Sequence, residues 1–417
     1  MTEKKQQKQK KPLKEEELST ITITGKYAEA IIYTPQLDKE THVQIKATMD
    51  HVAFEGSKVR IMPDVHAGAG SVIGFTATVT DKVIPNIVGV DIGCGVLAIN
   101  LGKQKFKTRK FKQFDGFVHQ MIPSGFNINQ IGPSEEEMKQ VLKTIDENAK
   151  LKSLLKNFNQ MATDIGIDGK NNKNKNQGKK DFMMRSLGTL GGGNHFIELD
   201  LDDQGETWLV IHTGSRNFGL QVAKFHQAKA VKAVGKMGGR EYLEGENAKL
   251  YFRHMKIAQY YAKFQRRLIA HRILEGFFGL SLAEQEIVES VHNYINFEDR
   301  IIRKGAISAR EGEKVVIPFN MAAGLIIGTG KGNTDWNNSA PHGAGRVMSR
   351  NQARKRIPLE KFQKVMKEAG VWSSCVVKSV IDEAPQVYKN VDEIMRYIKP
   401  TVNIDLILKP IYNFKAK

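Results

Sequence analysis

The chain has 417 residues, 41% hydrophobic and 26% charged, a balance that excludes a disordered or fibrous protein and allows a large core. Lys and Arg outnumber Asp and Glu to give a formal net charge of +18, which points to a polyanionic partner such as nucleic acid or an acidic membrane surface. There is no apolar run of membrane-spanning length and no apolar leader core, so a cytoplasmic protein is expected, and two cysteines are too few for a disulfide framework.

Residues 1–20, rich in Lys, Gln and Glu, read as a disordered basic tail ahead of a domain spanning 21–417. Residues 20–24, 30–33, 59–62, 71–79 and 96–101 are short, β-branched and bounded by Gly, Pro or Asp, which is the pattern of strands. The segment 103–112 interleaves lysines and Arg109 with Phe106 and Phe111. It reads as a solvated face over two packed rings, with a phosphate-binding stripe as the alternative. A helix is expected over 135–157, and a flexible basic loop over about 168–180. Residues 207–211 form a strand that delivers His212 at its end. Tyr251, Met255, Ala258, Tyr261 and Leu268 recur at helical spacing and predict the core face of a long helix over 248–278. Further helices are expected over 282–296, 359–369 and 391–398. The class is mixed α/β (α+β), a single large domain with a sheet core and peripheral helices.

Chemistry concentrates in glycine-rich turns. Gly89-Val90-Asp91-Ile92-Gly93-Cys94-Gly95 sets a carboxylate and a thiol three residues apart, a plausible half-site for a metal or an ordinary buried cysteine after a turn. His195 follows Gly191-Gly192-Gly193-Asn194, His212 precedes Thr213-Gly214-Ser215-Arg216, and His292 precedes Asn293. Asp91, Cys94, His195, His212 and His292 are more donors than one tetrahedral ion takes, and two ions sharing the thiolate fit better. Pro341-His342-Gly343-Ala344-Gly345-Arg346 isolates one imidazole among small residues, a frame suited to a nucleophile at phosphorus and equally to a glycine turn around a hydrogen-bonded histidine. No P-loop or dinucleotide fingerprint occurs.

Taken in order, Asp91-Ile-Gly-Cys94-Gly, Gly193-Asn-His195-Phe-Ile-Glu198, Ile211-His212-Thr-Gly-Ser-Arg216, His292-Asn293 and His342-Gly-Ala-Gly-Arg346 resemble the RtcB family of RNA ligases. The resemblance runs from about residue 22 to the carboxyl terminus. It implies joining of an RNA 3′-phosphate or 2′,3′-cyclic phosphate end to a 5′-hydroxyl end, in repair or tRNA splicing, with GTP and two Mn²⁺ ions. It also implies that Asp91, Cys94, His195, His212 and His292 hold the metals and that His342 attacks GTP to form a histidine-GMP intermediate, with Asp64 orienting it. The guanylate pocket would comprise Asn194, His195, Glu198, His292, Asn293, Pro318, Asn320, Met321, His342, Gly343, Ala344, Gly345, Tyr388 and Lys415. Arg185, Arg216, Arg346 and Arg350 would meet RNA phosphates. The chain departs from the family pattern at Phe319, Asn320, Leu325 and Pro341, as a divergent bacterial-type branch would. Two other readings are a dimetal phosphoesterase on RNA ends and a catalytically silent RNA-binding paralogue. Whether an activating protein partner is needed is not written in the chain.

Overall fold

Runs of Ile, Val and Thr, whose branched side chains suit an extended backbone, set the strands. The computed structural model describes residues 18–167 and 177–416. Most of the expected basic tail and residues 168–176 of the expected loop therefore lie outside the described residues, whereas 177–180 belong to the helix Gln177–Ser186.

Two large sheets form. One has six strands in the order Ile21–Thr24, Glu29–Ile32, Val59–His66, Ile73–Thr78, Ile301–Lys304 and Asn293–Asn296, antiparallel except where Glu29–Ile32 meets Val59–His66. The other has seven antiparallel strands in the order Lys314–Asn320, Gly324–Gly330, Val402–Phe414, Phe196–Leu201, Thr207–Thr213, Gly95–Asn100 and Ile287–Val291. A short pair, Ala306–Ser308 with Ser339–Pro341, delivers His342. Strands and helices together make a mixed α+β fold.

The expected helix over 282–296 is instead a single 3₁₀ turn, Leu282–Glu284, followed by the strands Ile287–Val291 and Asn293–Asn296. Ile287, Val288, Val291, Tyr294 and Ile295 favour extended chain, and pairing with Gly95–Asn100 on one side and Ile301–Lys304 on the other satisfies their backbone. His292 sits between the two strands, where the chain passes from the seven-stranded sheet to the six-stranded one. The expected helix over 135–157 is broken, giving Glu135–Lys143 and Leu151–Asp164.

The long helix is present as Gly245–Ile273, 29 residues, and continues into a π turn at Leu274–Phe278. Its first half packs with Arg216–Val234 and the six-stranded sheet, burying Tyr251, Met255, Ala258 and Tyr261. Its last turns meet Leu97, Ile99, Leu209 and Ile211 on one face of the seven-stranded sheet, together with the helix Thr108–Met121. Phe106 and Phe111 stack in that cluster at 5.2 Å between centroids, while Lys103, Lys105 and Lys107 stay exposed. No helix among the described residues is long and apolar enough to cross a membrane.

Candidate active site

The ends of central strands converge on one cluster. Cys94 closes the turn that leads into Gly95–Asn100, His212 lies near the end of Thr207–Thr213, His195 precedes Phe196–Leu201, and His292 marks the sheet crossing. Register pairs Val96 with His212 and Gly95 with Val291, so these segments are neighbours by backbone hydrogen bonding. Arg266, fully buried on the long helix, bonds Glu289 at 2.7 Å and also the carbonyls of Gly93 at 2.6 Å and Thr213 at 3.0 Å. One guanidinium thus ties the Asp91–Cys94 turn to the His212 strand.

Cys94 Sγ lies 3.2 Å from His212 Nε2 and 3.5 Å from His195 Nε2, His195 Nε2 is 2.9 Å from Asp91 Oδ2, and His212 Nε2 is 3.3 Å from His292 Nε2. Two donor groups result, Asp91–Cys94–His195 and Cys94–His212–His292, with the sulfur common to both. Tautomers are pinned from behind. His195 Nδ1 donates to the Leu190 carbonyl at 2.9 Å and His212 Nδ1 to the Asn194 carbonyl at 3.1 Å, which leaves each Nε2 lone pair aimed inward. Burial pushes His212 and His292 well below the usual imidazole range, so both are neutral at pH 7. Burial and the Asp91 carboxylate push the Cys94 thiol well above its usual value. Protons therefore compete with a metal at the sulfur rather than at these imidazoles. Inward lone pairs around one buried thiol are what a pair of cations would relieve, and this donor set fits the expected ions without fixing which metal they are.

His342 lies beside this cluster, its ring 4.8 Å from that of His292. Its Nδ1 is 2.7 Å from Oδ2 of the fully buried Asp64. Gly345 shapes the turn after it. With φ +74, a side-chain carbon there would lie 2.2 Å from the Asp64 carbonyl oxygen, so only glycine lets the turn pack on the strand that carries Asp64.

A cleft of about 1070 Å³ opens over these groups. It is lined by Asp91, Cys94, His212 and His292, by Asn194, Glu198, Asn293, Pro318, Asn320 and Met321, by His342 through Arg346, and by Arg350, Tyr388 and Lys415. His195 belongs to the Asp91–Cys94–His195 donor group and does not itself line the cleft. Arg185 and Arg216 do not line the cleft; Arg216 reaches the Gly125 carbonyl at 2.8 Å and Arg185 the Asn129 carbonyl at 2.8 Å. Glu198 accepts from Asn413 at 2.6 Å, and burial, only partly offset by Asn413 and Lys415, lifts its carboxyl to about 7. Of the departures, Phe319 and Leu325 are buried in core clusters, and Asn320 Oδ1 caps the turn at Ala322 and Ala323.

Glu383 is a member that sequence reasoning missed. It takes Lys415 at 3.2 Å, Arg350 at 2.6 Å, Arg346 at 3.2 Å and the Tyr388 hydroxyl at 2.7 Å. Burial would raise its carboxyl, but these cations and the hydroxyl prevail and hold it down to about 2. No local spacing links residues 346, 383 and 415, so nothing short of the fold pairs them. His66 also lines the cleft, with Nδ1 bonded to the Asp64 carbonyl at 2.9 Å, and burial lowers it to about 4.

A model of the RtcB family, described as tRNA-splicing ligase RtcB, matches residues 44–416. The RNA-splicing ligase RtcB of Escherichia coli K12 is 29% identical over 388 residues, covering 86% of this chain and 90% of the relative. The tRNA-splicing ligase RtcB of Pyrobaculum aerophilum is 30% identical over 399 residues, covering 80% and 82%, and that of Nanoarchaeum equitans is 28% identical over 408 residues, covering 81% and 83%. Since the match spans every segment that supplies a donor to the cluster, the chain belongs to the RtcB family.

Proposed function

We propose that this member of the RtcB family is an RNA ligase, working in the cytoplasm, that joins 3′-phosphate or 2′,3′-cyclic phosphate ends to 5′-hydroxyl ends with GTP and two Mn²⁺ ions. The observation that carries the reading is a histidine with its Nδ1 pinned by a buried carboxylate, set one ring away from two donor groups that share a thiolate. Asp64 holds the proton of His342 on Nδ1 and leaves the Nε2 lone pair free to attack. Attack on the α-phosphorus of GTP forms an N–P bond and breaks the bond to pyrophosphate, which departs. The Asp64 carboxylate then balances the charge left on the substituted ring, as the third member of a nucleophile site does. Guanylate passes from His342 to an oxygen of the RNA 3′-phosphate, and the 5′-hydroxyl displaces GMP to close the new phosphodiester.

Asp91, Cys94, His195, His212 and His292 would hold the ions, whose charge neutralises phosphate oxygens and aligns the groups that react. Glu198, buried at the cleft floor, favours a base edge rich in N–H donors, which guanine presents. Lys415 lies close by, its ammonium held between the Asn194 carbonyl and Glu383.

The test is incubation with Mn²⁺ and GTP labelled at the α-phosphate, followed by denaturing electrophoresis. An acid-labile label is expected on the wild type and none on His342→Ala. Label that persists on the variant removes the nucleophile assignment, and turnover of RNA ends without GTP would favour a dimetal phosphoesterase.

A further inference from the structure

Phe126 is fully exposed, at 103% of the reference area for the residue, in a segment otherwise fixed by hydrogen bonds. It occupies the apex of a tight turn closed by Asn127 N–H to the Ser124 carbonyl at 3.2 Å, with Gly125 at φ +65 supplying the reversal. The turn is pinned on both sides. Gly125 N–H bonds the Gly191 carbonyl at 2.8 Å, Arg216 donates to the Gly125 carbonyl at 2.8 Å, and Arg185 to the Asn129 carbonyl at 2.8 Å. Such anchoring means the ring stands in water without freedom to collapse onto the core.

The position adjoins the active site. A side-chain carbon at Gly192 would lie 3.7 Å from Gly125 Cα, and one at Gly193 would lie 3.5 Å from Nη2 of Arg350, which lines the cleft. Only Asn194 separates Gly193 from His195. An exposed apolar ring on a turn anchored beside the cleft, on a protein of net charge +18, matches a single-stranded polyanion whose flat bases need a stacking surface.

We propose that Phe126 is a stacking platform for an unpaired base next to the RNA end being joined, with its strand's phosphates running past Arg350, which lines the cleft. This rests on the RNA-ligase reading and names where the substrate leaves the cleft. A second copy of this chain carries the same net charge of +18, so a polyanion is the occupant that the charge favours.

The experiment compares full-length wild type, Phe126→Ala and Phe126→Trp. The probe is a short single-stranded RNA ending in a 3′-phosphate, with 2-aminopurine at its penultimate base. Phe126→Ala is expected to bind about 5- to 100-fold more weakly and to lose stacking-induced quenching, while Phe126→Trp retains both. Covalent guanylation in the absence of RNA is expected to be unchanged in both variants. Absence of guanylate from every protein, wild type included, would count against the proposed reaction, while the binding series would still report on Phe126. Equal RNA affinity in all three proteins overturns the proposal, as does equal weakening in both variants. It is also overturned if Phe126→Ala changes the sedimentation mass and leaves RNA affinity intact, which would assign the ring to self-association.

Discussion

Glu383 shows how much one residue organises at this site. Lys415, Arg346, Arg350 and Tyr388 are drawn to a single buried carboxylate, and removing it leaves Lys415 and Arg346 with carbonyl partners only and Arg350 with Asp382. Loss of one partner from a buried ionic cluster costs about 3–5 kcal/mol, so Glu383→Gln is expected to lower unfolding free energy by that amount in urea titrations at pH 7. The sign of its pH dependence follows from a carboxyl at about 2 in the folded state and 4.5 as its ordinary value. Its stabilisation is complete above 4.5 and is lost as pH falls toward 2, because the unfolded chain takes up the proton first. The wild type minus Glu383→Gln difference is therefore expected to shrink across that window, and a difference that stays constant would refute the pairing as its source. At this scale Asp91, Cys94, His195, His212, His292 and His342 were all legible as candidates, since glycine turns frame five of these side chains and Asn293 follows His292. Glu383 and Arg266 were not, because each looks like an ordinary charge until its distant partners fold around it.

Elements position these residues through close backbone approach. The turn after His342 rests on the strand Val59–His66 only because Gly345 has no side chain, and this contact sets the 2.7 Å distance between Asp64 and His342. Gly345→Ala is expected to cost about 1–3 kcal/mol through its φ and the clash, and to slow histidine guanylation by about 100-fold or more. Thermal midpoint and single-turnover labelling measure the two effects, and a rate equal to wild type would detach Asp64 from the chemistry. Gly214 works similarly, since a side-chain carbon there would lie 2.1 Å from Asp91 Oδ1. Short strands over 21–24, 59–66 and 95–100 were readable from β-branched residues between breakers, as was the long helix from its apolar period. The segment after residue 282 was misread as helix because a short apolar run carries either period, and only the strands on each side of it decided the matter.

At the scale of the whole molecule the chain's last strand is central. Val402–Phe414 lies between Gly324–Gly330 and Phe196–Leu201, so it pairs on both sides and ends beside Lys415. Deleting residues 402–417 is expected to abolish cooperative unfolding in calorimetry, not merely catalysis, because two strands would lose their shared partner and an unpaired gap would open in the sheet. A truncated protein with a sharp transition near that of wild type would show the strand to be dispensable. The amino-acid order alone determined the candidate donors, the candidate nucleophile, the basic character and the family, since those reside in residue identity and local motif spacing. The tertiary structure alone decided how the donors divide around the shared sulfur, that Arg266 and Glu383 hold the site together, and that Phe126 stands exposed beside it. Those facts depend on contacts between segments from tens to nearly two hundred residues apart, whose distances are set by sheet register and helix packing and leave no periodic trace in the chain.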